Sequence, residues 1–383
     1  MASASPAPVS SLSWISNNST LPKVLICSAG GTILSASASN YSRLDNIHYG
    51  SGDGPSPTDL IYEVPEVLDV AQLAVIEFPV TGGSAGLNSS LYLNISQHLN
   101  EYLCDADSDI AGAIMFHGTN TLEETVCIRR RLNINCSIPF IATGAMRPDS
   151  YVSPDGRSNF YQAVAAASSP FSGDRGGLIA FNDRITSIYY STKTNANTPG
   201  AFKALVGAFL GGQPYYFFGA SLLAYRPTFN VTDTVELPSV IILYGHQGFD
   251  ASLMYAAVAN GAKYGPRYPR SRRSSTYPSA LEAAEDLFAK GIPTVAVPRP
   301  VTGTGVPDLY PGAVFYAGYL GAEQARITLQ LAINAGCNLD KIRDVFERRL
   351  REALYTSPAA REYYFCVEDY SSLCRQWDLD FQP

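Results

Sequence analysis

Apolar and polar positions along the chain follow two periods. Largely apolar runs of strand length occur at residues 23–27, 71–78, 110–116, 138–143, 177–181, 240–244 and 293–297. Runs this short, bounded by Gly, Pro, Asn and Ser, read as buried strands. Between them, apolar residues recur at helical spacing over 91–103, 158–167, 251–261, 280–290, 322–335 and 339–354. Thr121 with Glu124, and Ser279 with Glu282, have the spacing of a capping box, so helices are expected to start there. Strands alternating with helices predict an α/β fold, its sheet mostly parallel with helices on both faces.

The richest stretch is 111–125. Its strand pattern breaks at His117-Gly118, just ahead of the expected helix. Open α/β sheets place ligands where a strand ends before a helix, so Thr119 and Asn120 would lie in such a crevice. The first strand is followed at once by Gly30, Gly31 and Thr32. Paired glycines let the backbone turn sharply, which exposes the next hydroxyl at a strand end. Taken alone, that pair reads as a plain turn. Residues 35–57, rich in Ser, Asn, Gly and Pro, are long enough to form a lid or binding loop, with Tyr41 as its first aromatic.

Length then divides the chain. Its 383 residues suit two domains. Loss of periodicity sets the expected bounds: a flexible arm at 1–22, a large domain at 23–220, a linker at 221–238, a small α/β domain at 239–350 with a parallel sheet, and an extension at 351–383. A net charge of −7 argues against nucleic acid as a partner. No apolar run reaches the roughly 18 residues of a membrane span. The first 20 residues lack the basic start and apolar core of a signal peptide. Seven Asn-x-Ser/Thr sites (Asn17, Asn18, Asn40, Asn88, Asn94, Asn135 and Asn230) and seven cysteines nevertheless suggest a secreted glycoprotein. Cys366 and Cys374 are spaced for a local loop closure. Arg267, Arg270, Arg272 and Arg273, in the 263–278 loop, read as solvated surface.

Candidate chemistry is narrow. The four histidines, at 48, 98, 117 and 246, are not at ligand spacing, which disfavours a zinc site or a Ser-His-Asp triad. There is no phosphate-binding loop motif, and neither metal nor cofactor is expected. Thr32, Tyr41, Thr119 and Lys193 remain. A threonine hydroxyl is a weak nucleophile until a base takes its proton, and a lysine desolvated in a cleft can be that base.

Four blocks, GGTI at 30–33, HGTNTLEET at 117–125, GAMRP at 144–148 and TKTN at 192–195, resemble in order and spacing the L-asparaginase family of bacterial type, over residues 23 to about 350. The resemblance implies two α/β domains and a homo-oligomer, dimer or tetramer, with active sites between subunits. It implies a hydrolase of linear amide bonds acting on a small amide. Thr32 would be the nucleophile, Tyr41 its helper, and Thr119 with Lys193 a second proton-moving pair. Gly31 and Gly118 would bring backbone to the substrate, and Ser84 would bind its α-carboxylate. A disulfide between Cys104 and Cys136, as in the secreted members, is implied as well.

The departures concern one substrate group. Where the family has HGTD, whose carboxylate pairs with the substrate α-ammonium, this chain has Asn120. The glutamine after the carboxylate-binding serine is Ala85, and 301–311 offers only Asp308 as an acid. The expected substrate is therefore a side-chain amide without a free α-ammonium. A repurposed enzyme of specialised metabolism and a non-catalytic binding protein are the alternatives.

Overall fold

A computed structural model describes residues 9–37, 41–50, 54–80, 83–125, 136–188, 190–220, 228–262, 278–300 and 303–356. The chain divides into two compact units, Met1–Leu237 and Pro238–Pro383.

In the first unit the described strands form one mixed sheet. They are β1 (Ser13–Trp14), β2 (Lys23–Ser28), β3 (Gln72–Glu77), β4 (Ile110–Phe116), β5 (Phe140–Thr143), β6 (Gly177–Phe181), β7 (Arg184–Ser187), β8 (Leu205–Leu210) and β9 (Gln213–Tyr216). Their order is β1-β3-β2-β4-β5-β6-β7-β8-β9. The five strands from β3 to β6 in that order are parallel, and every pair outside them is antiparallel. The parallel strands are near-continuous apolar runs, as burial on both faces requires. Val24, Ile26, Ile114, Phe116 and Ile141 join one core with the helix Gly156–Ser168, whose Phe160 meets Phe116 edge to face at 5.2 Å. Each such side chain contributes roughly 1.5–3 kcal/mol by leaving water.

Chain order reverses at the centre. β2 has β3 on one side and β4 on the other, with Ser28 level with both Glu77 and Phe116. The carboxyl ends of β2 and β4 thus lie side by side at a topological switch point, where open sheets bind ligands.

Several sequence expectations are revised. Residues 9–22 are not a free arm. Ser13 and Trp14 pair with Val75 and Ala74, and the Ile15 N–H reaches the Leu73 carbonyl at 2.8 Å. β3 would otherwise be an edge strand with unpaired backbone groups, and the arm satisfies them. Two reversals absent from the expected elements extend the sheet. Asn182-Asp183 turns β6 into β7, and Gly211-Gly212 turns β8 into β9, all four residues with positive φ. Such two-residue turns match the natural twist of a hairpin. A helix at Pro57–Glu63 follows directly on the expected loop, capped by Ser56 and Asp59 in a reciprocal box.

The second unit carries a two-stranded parallel sheet, β10 (Thr294–Ala296) and β11 (Val314–Tyr316). Helices Ser252–Ala259, Pro278–Ala289, Ala322–Asn334 and Leu339–Arg351 accompany it. Met254, Ala280, Ala284, Leu287 and Val314 share its core. The expected strand at 240–244 is irregular chain, and Val240 and Ile242 line a small gap together with Val295 and Leu329. Ser279 lies inside the first turn of its helix rather than capping it. Beyond residue 350, Arg351 and Tyr355 bind the backbone of Asp308, Leu309 and Pro307. The loop at 263–277, residues 221–227 and Cys366 with Cys374 lie outside the described residues.

Candidate active site

At the switch point two loops pack so closely that only glycine fits. A Cβ on Gly31, whose φ is +104°, would come within 2.6 Å of the Gly118 amide nitrogen. One on Gly118 would meet Ser84 Oγ at 2.7 Å. Three turns, after β2, β3 and β4, are thereby drawn together, and they bring Thr32, Ser84 and Thr119 to one cleft of about 560 Å³. Thr121 reinforces this contact, its hydroxyl donating to the Ser84 carbonyl at 2.9 Å. Every expected site residue except Tyr41 lines the cleft: Gly31, Thr32, Ser84, Gly118, Thr119, Asn120 and Lys193.

The Thr119 side is held by buried hydrogen bonds. His117, fully buried, gives its Nδ1 hydrogen to the Gly118 carbonyl (2.7 Å), and its Nε2 accepts the Thr125 hydroxyl (2.9 Å). Burial pushes its pKa down to about 4, so it is neutral at pH 7. Lys193 Nζ lies 2.9 Å from both Thr119 Oγ1 and Asn120 Oδ1. Burial lowers the Lys193 pKa, and the Glu123 carboxylate opposes that shift. Glu123 also accepts the Lys193 backbone N–H at 3.2 Å. The lysine therefore has a nearby counter-charge despite Asn120. That buried carboxylate belongs to the HGTNTLEET block, but nothing in its spacing announces its direction.

On the Thr32 side it is Tyr49, not the expected Tyr41, that stands against the hydroxyl. Tyr49 OH lies 3.1 Å from Thr32 Oγ1. Tyr41 is 43% exposed and stacks on His48, ring centroids 4.9 Å apart and nearly parallel. The reason is local pairing. Ala36 and Gly50 form an antiparallel bridge that folds the loop back and sets Tyr49 beside Thr32. Asp45 accepts the backbone N–H groups of His48 and Ile47 and bonds the His48 ring, so its pKa falls to about 2. A fold-back of the loop, rather than nearness in sequence, decides which tyrosine arrives.

GAMRP forms a further wall. Asp155 accepts the backbone N–H groups of Met146 and Arg147 and holds that turn against the cleft, which Ala145 and Met146 line. Its burial raises its pKa. Ala85 is exposed, and no carboxylate lines the cleft among the described residues. In the second unit the Asp308 carboxylate accepts the Tyr316 hydroxyl at 2.8 Å. Cys104 and Cys136 are bonded, with Cα atoms 5.4 Å apart. Of the expected glycosylation sites, Asn88 caps the helix Ser89–Cys104 with its side chain and Asn94 Oδ1 is buried within that helix. Asn40 and Asn135 lie outside the described residues.

Hydroxyls gathered around one half-buried lysine, at the switch point of a two-domain α/β chain, define a threonine–lysine class of site. Comparison with known proteins resolves the class. Residues 23–212 match the family "Asparaginase, N-terminal", and 239–346 match "Glutaminase/Asparaginase C-terminal domain". L-asparaginase 2-3 of Saccharomyces cerevisiae is 36% identical over 341 residues, covering 86% of this chain and 91% of the relative. L-asparaginase 2 of Bacillus subtilis is 33% identical over 332 residues, 85% of this chain and 86% of the relative. The crystal structure of a probable cytoplasmic L-asparaginase from Campylobacter jejuni has the same fold, with a TM-score of 0.73 at 24% identity, covering 85% of this chain and 99% of that one. The chain belongs to the asparaginase family. Among the described residues no helix is long and apolar enough to cross a membrane.

Proposed function

We propose that this protein hydrolyses a side-chain amide through an acyl-enzyme on Thr32. One observation carries the reading: Thr32, with Tyr49 on its hydroxyl, shares one cleft with the Thr119–Lys193 pair. The relatives named as L-asparaginases supply the bond class. In the first step Thr32 Oγ bonds to the amide carbonyl carbon, its proton is relayed through the Tyr49 hydroxyl beside it to the amide nitrogen, and the C–N bond breaks. The leaving nitrogen departs with that proton as ammonia. Water, deprotonated through Thr119 and Lys193, then adds to the ester and returns the proton to Thr32. Backbone N–H groups near Thr119 are suited to hold the oxyanion. Ser84 is suited to the substrate carboxylate.

The substrate lacks a free α-ammonium. An ammonium is recognised by carboxylates, and the described cleft offers none. Asn120 stands where the family has an acid, and Ala85 is turned to solvent. We further propose a homo-oligomeric enzyme of an oxidising compartment, a reading that the Cys104–Cys136 bond supports. The test is ammonia release from a panel of free and α-substituted amides by the native protein and by Thr32→Ala. Turnover of at least one amide, lost in a folded Thr32→Ala, is expected. Undiminished turnover in Thr32→Ala would move the nucleophile elsewhere, and silence with every amide would favour a binding protein.

A further inference from the structure

The Asn120 carboxamide is oriented by the lysine beside it. A lysine ammonium has three donors and no acceptor, so the amide atom 2.9 Å from Nζ is the oxygen. The neutral amine gives the same result. With its lone pair turned to the Thr119 hydroxyl it retains two N–H groups, one of which meets Asn120 Oδ1. Both protonation states of Lys193 therefore fix the same end of the amide. The Nδ2 end, a double donor, has no protein partner among the described residues, and Asn120 is an exposed residue of the cleft. In place of a carboxylate acceptor, the position presents N–H groups next to a cation. A free α-ammonium brought there would set donor against donor, with the Lys193 charge close behind. An acyl group on that nitrogen removes the charge and supplies a carbonyl oxygen that can accept from Nδ2. The volume of the cleft suits a ligand larger than a free amino acid, and Ile47, Met146 and Ala196 give its lining apolar surface.

We infer that Asn120 selects α-N-acylated amides, and that the substrate class is N-acyl-asparagine. Water and the N-acyl amide are consumed, and N-acyl-aspartate and ammonia are formed. The inference rests on the amidohydrolase reading above and is tested apart from it by binding. Calorimetric titration of Thr32→Ala protein with N-acetyl-L-asparagine, L-asparagine and succinamic acid, which has no group at the α-position, reads selectivity without turnover. The acetylated amide is expected to bind at least about tenfold more tightly than the other two, the range of one well-placed hydrogen bond. Adding Asn120→Asp, which keeps the side-chain shape, is expected to reverse the order of acetylated and free asparagine. Equal binding of N-acetyl-L-asparagine and succinamic acid, or an order unmoved by Asn120→Asp, would overturn the inference. Ammonia release by the native protein separates the two readings. Selective binding without ammonia from any amide leaves the selectivity and defeats the hydrolase, and equally fast release from all three leaves the hydrolase and defeats the selectivity.

Discussion

Two parts of one cleft can be compared residue by residue. Around Thr32 and Thr119 the hydroxyls are held by hydrogen bonds: a tyrosine on one, a lysine on the other, and a buried histidine and carboxylate behind them. Where a charged amino group would be recognised, the described residues offer an amide, an alanine turned to solvent and no acid. Random decay would be expected to damage both parts, because a hydroxyl–lysine pair with no reaction to perform is not needed by the core. Retention of the hydroxyl–lysine groups beside Asn120 is the pattern that the proposed change of substrate requires.

The comparison breaks most completely at Thr32. Thr32→Ala should lower kcat/KM by about 10⁴-fold or more on any amide the protein turns over, since removing a covalent nucleophile leaves only binding and oxyanion contributions. Its half-buried hydroxyl adds little to the core, so the melting temperature should stay within a few degrees. Lys193→Ala should cost nearly as much, and double replacement little more, because members of one catalytic unit are not additive. The pH profile sharpens the point. A lysine acting as base works unprotonated, so kcat/KM should rise as pH passes the Lys193 pKa, which burial holds below the ordinary lysine value. Asn120→Asp places a carboxylate beside the ammonium, favours the protonated form, and should move that rise to higher pH.

His117 links the reactive part of the cleft to the stability of the sheet. Its folded pKa is about 4, below the 6.5 of an exposed histidine. Between those values the unfolded chain binds the proton and the folded one does not, so stability falls as pH drops from 6.5 towards 4 and is fully present above 6.5. The whole shift is worth about 3 kcal/mol. Chemical denaturation at pH 7 and pH 4.5 should show most of this difference, and His117→Gln should flatten the dependence. An unchanged slope in the variant would mean that other groups govern it.

Much of this was legible in the residues. The central parallel strands stand out because burial on both faces makes them largely apolar runs, and Thr32, Thr119, Asn120 and Lys193 all fall within the short motif blocks. What escaped has physical causes. The hairpins β6–β7 and β8–β9 depend on Asn-Asp and Gly-Gly turns between short, mixed strands, a weaker signal than a buried run. β1 exists because β3 has an edge to cover, which no local pattern in 9–22 reveals. Glu123 and Asp155 act through burial and direction, and these appear only when distant segments meet. Asn120 is legible as a departure from the HGTD motif, whereas the counter-charge that Glu123 gives Lys193 is not, because it depends on where the TKTN segment meets that block.

The smallest expected effect concerns the two tyrosines of the loop. Tyr49 reaches Thr32 directly, whereas Tyr41 reaches it only through a stack on His48, itself bonded to Asp45, on the segment that leads to Tyr49. Tyr49→Phe removes one hydroxyl from beside the nucleophile and should lower kcat by about 100-fold, the lower end of the range for a proton-transferring group. Tyr41→Phe keeps the ring and its stack and should be nearly silent. Tyr41→Ala removes the stack, worth about 0.5–1.5 kcal/mol as an aromatic pair, and should loosen the loop. It should therefore raise KM by less than about tenfold while leaving kcat closer to native. Steady-state kinetics on one amide, for all three variants, decides the matter. A Tyr41→Phe loss equal to that of Tyr49→Phe would show that the loop closes differently during turnover and brings the first tyrosine, not the second, to Thr32.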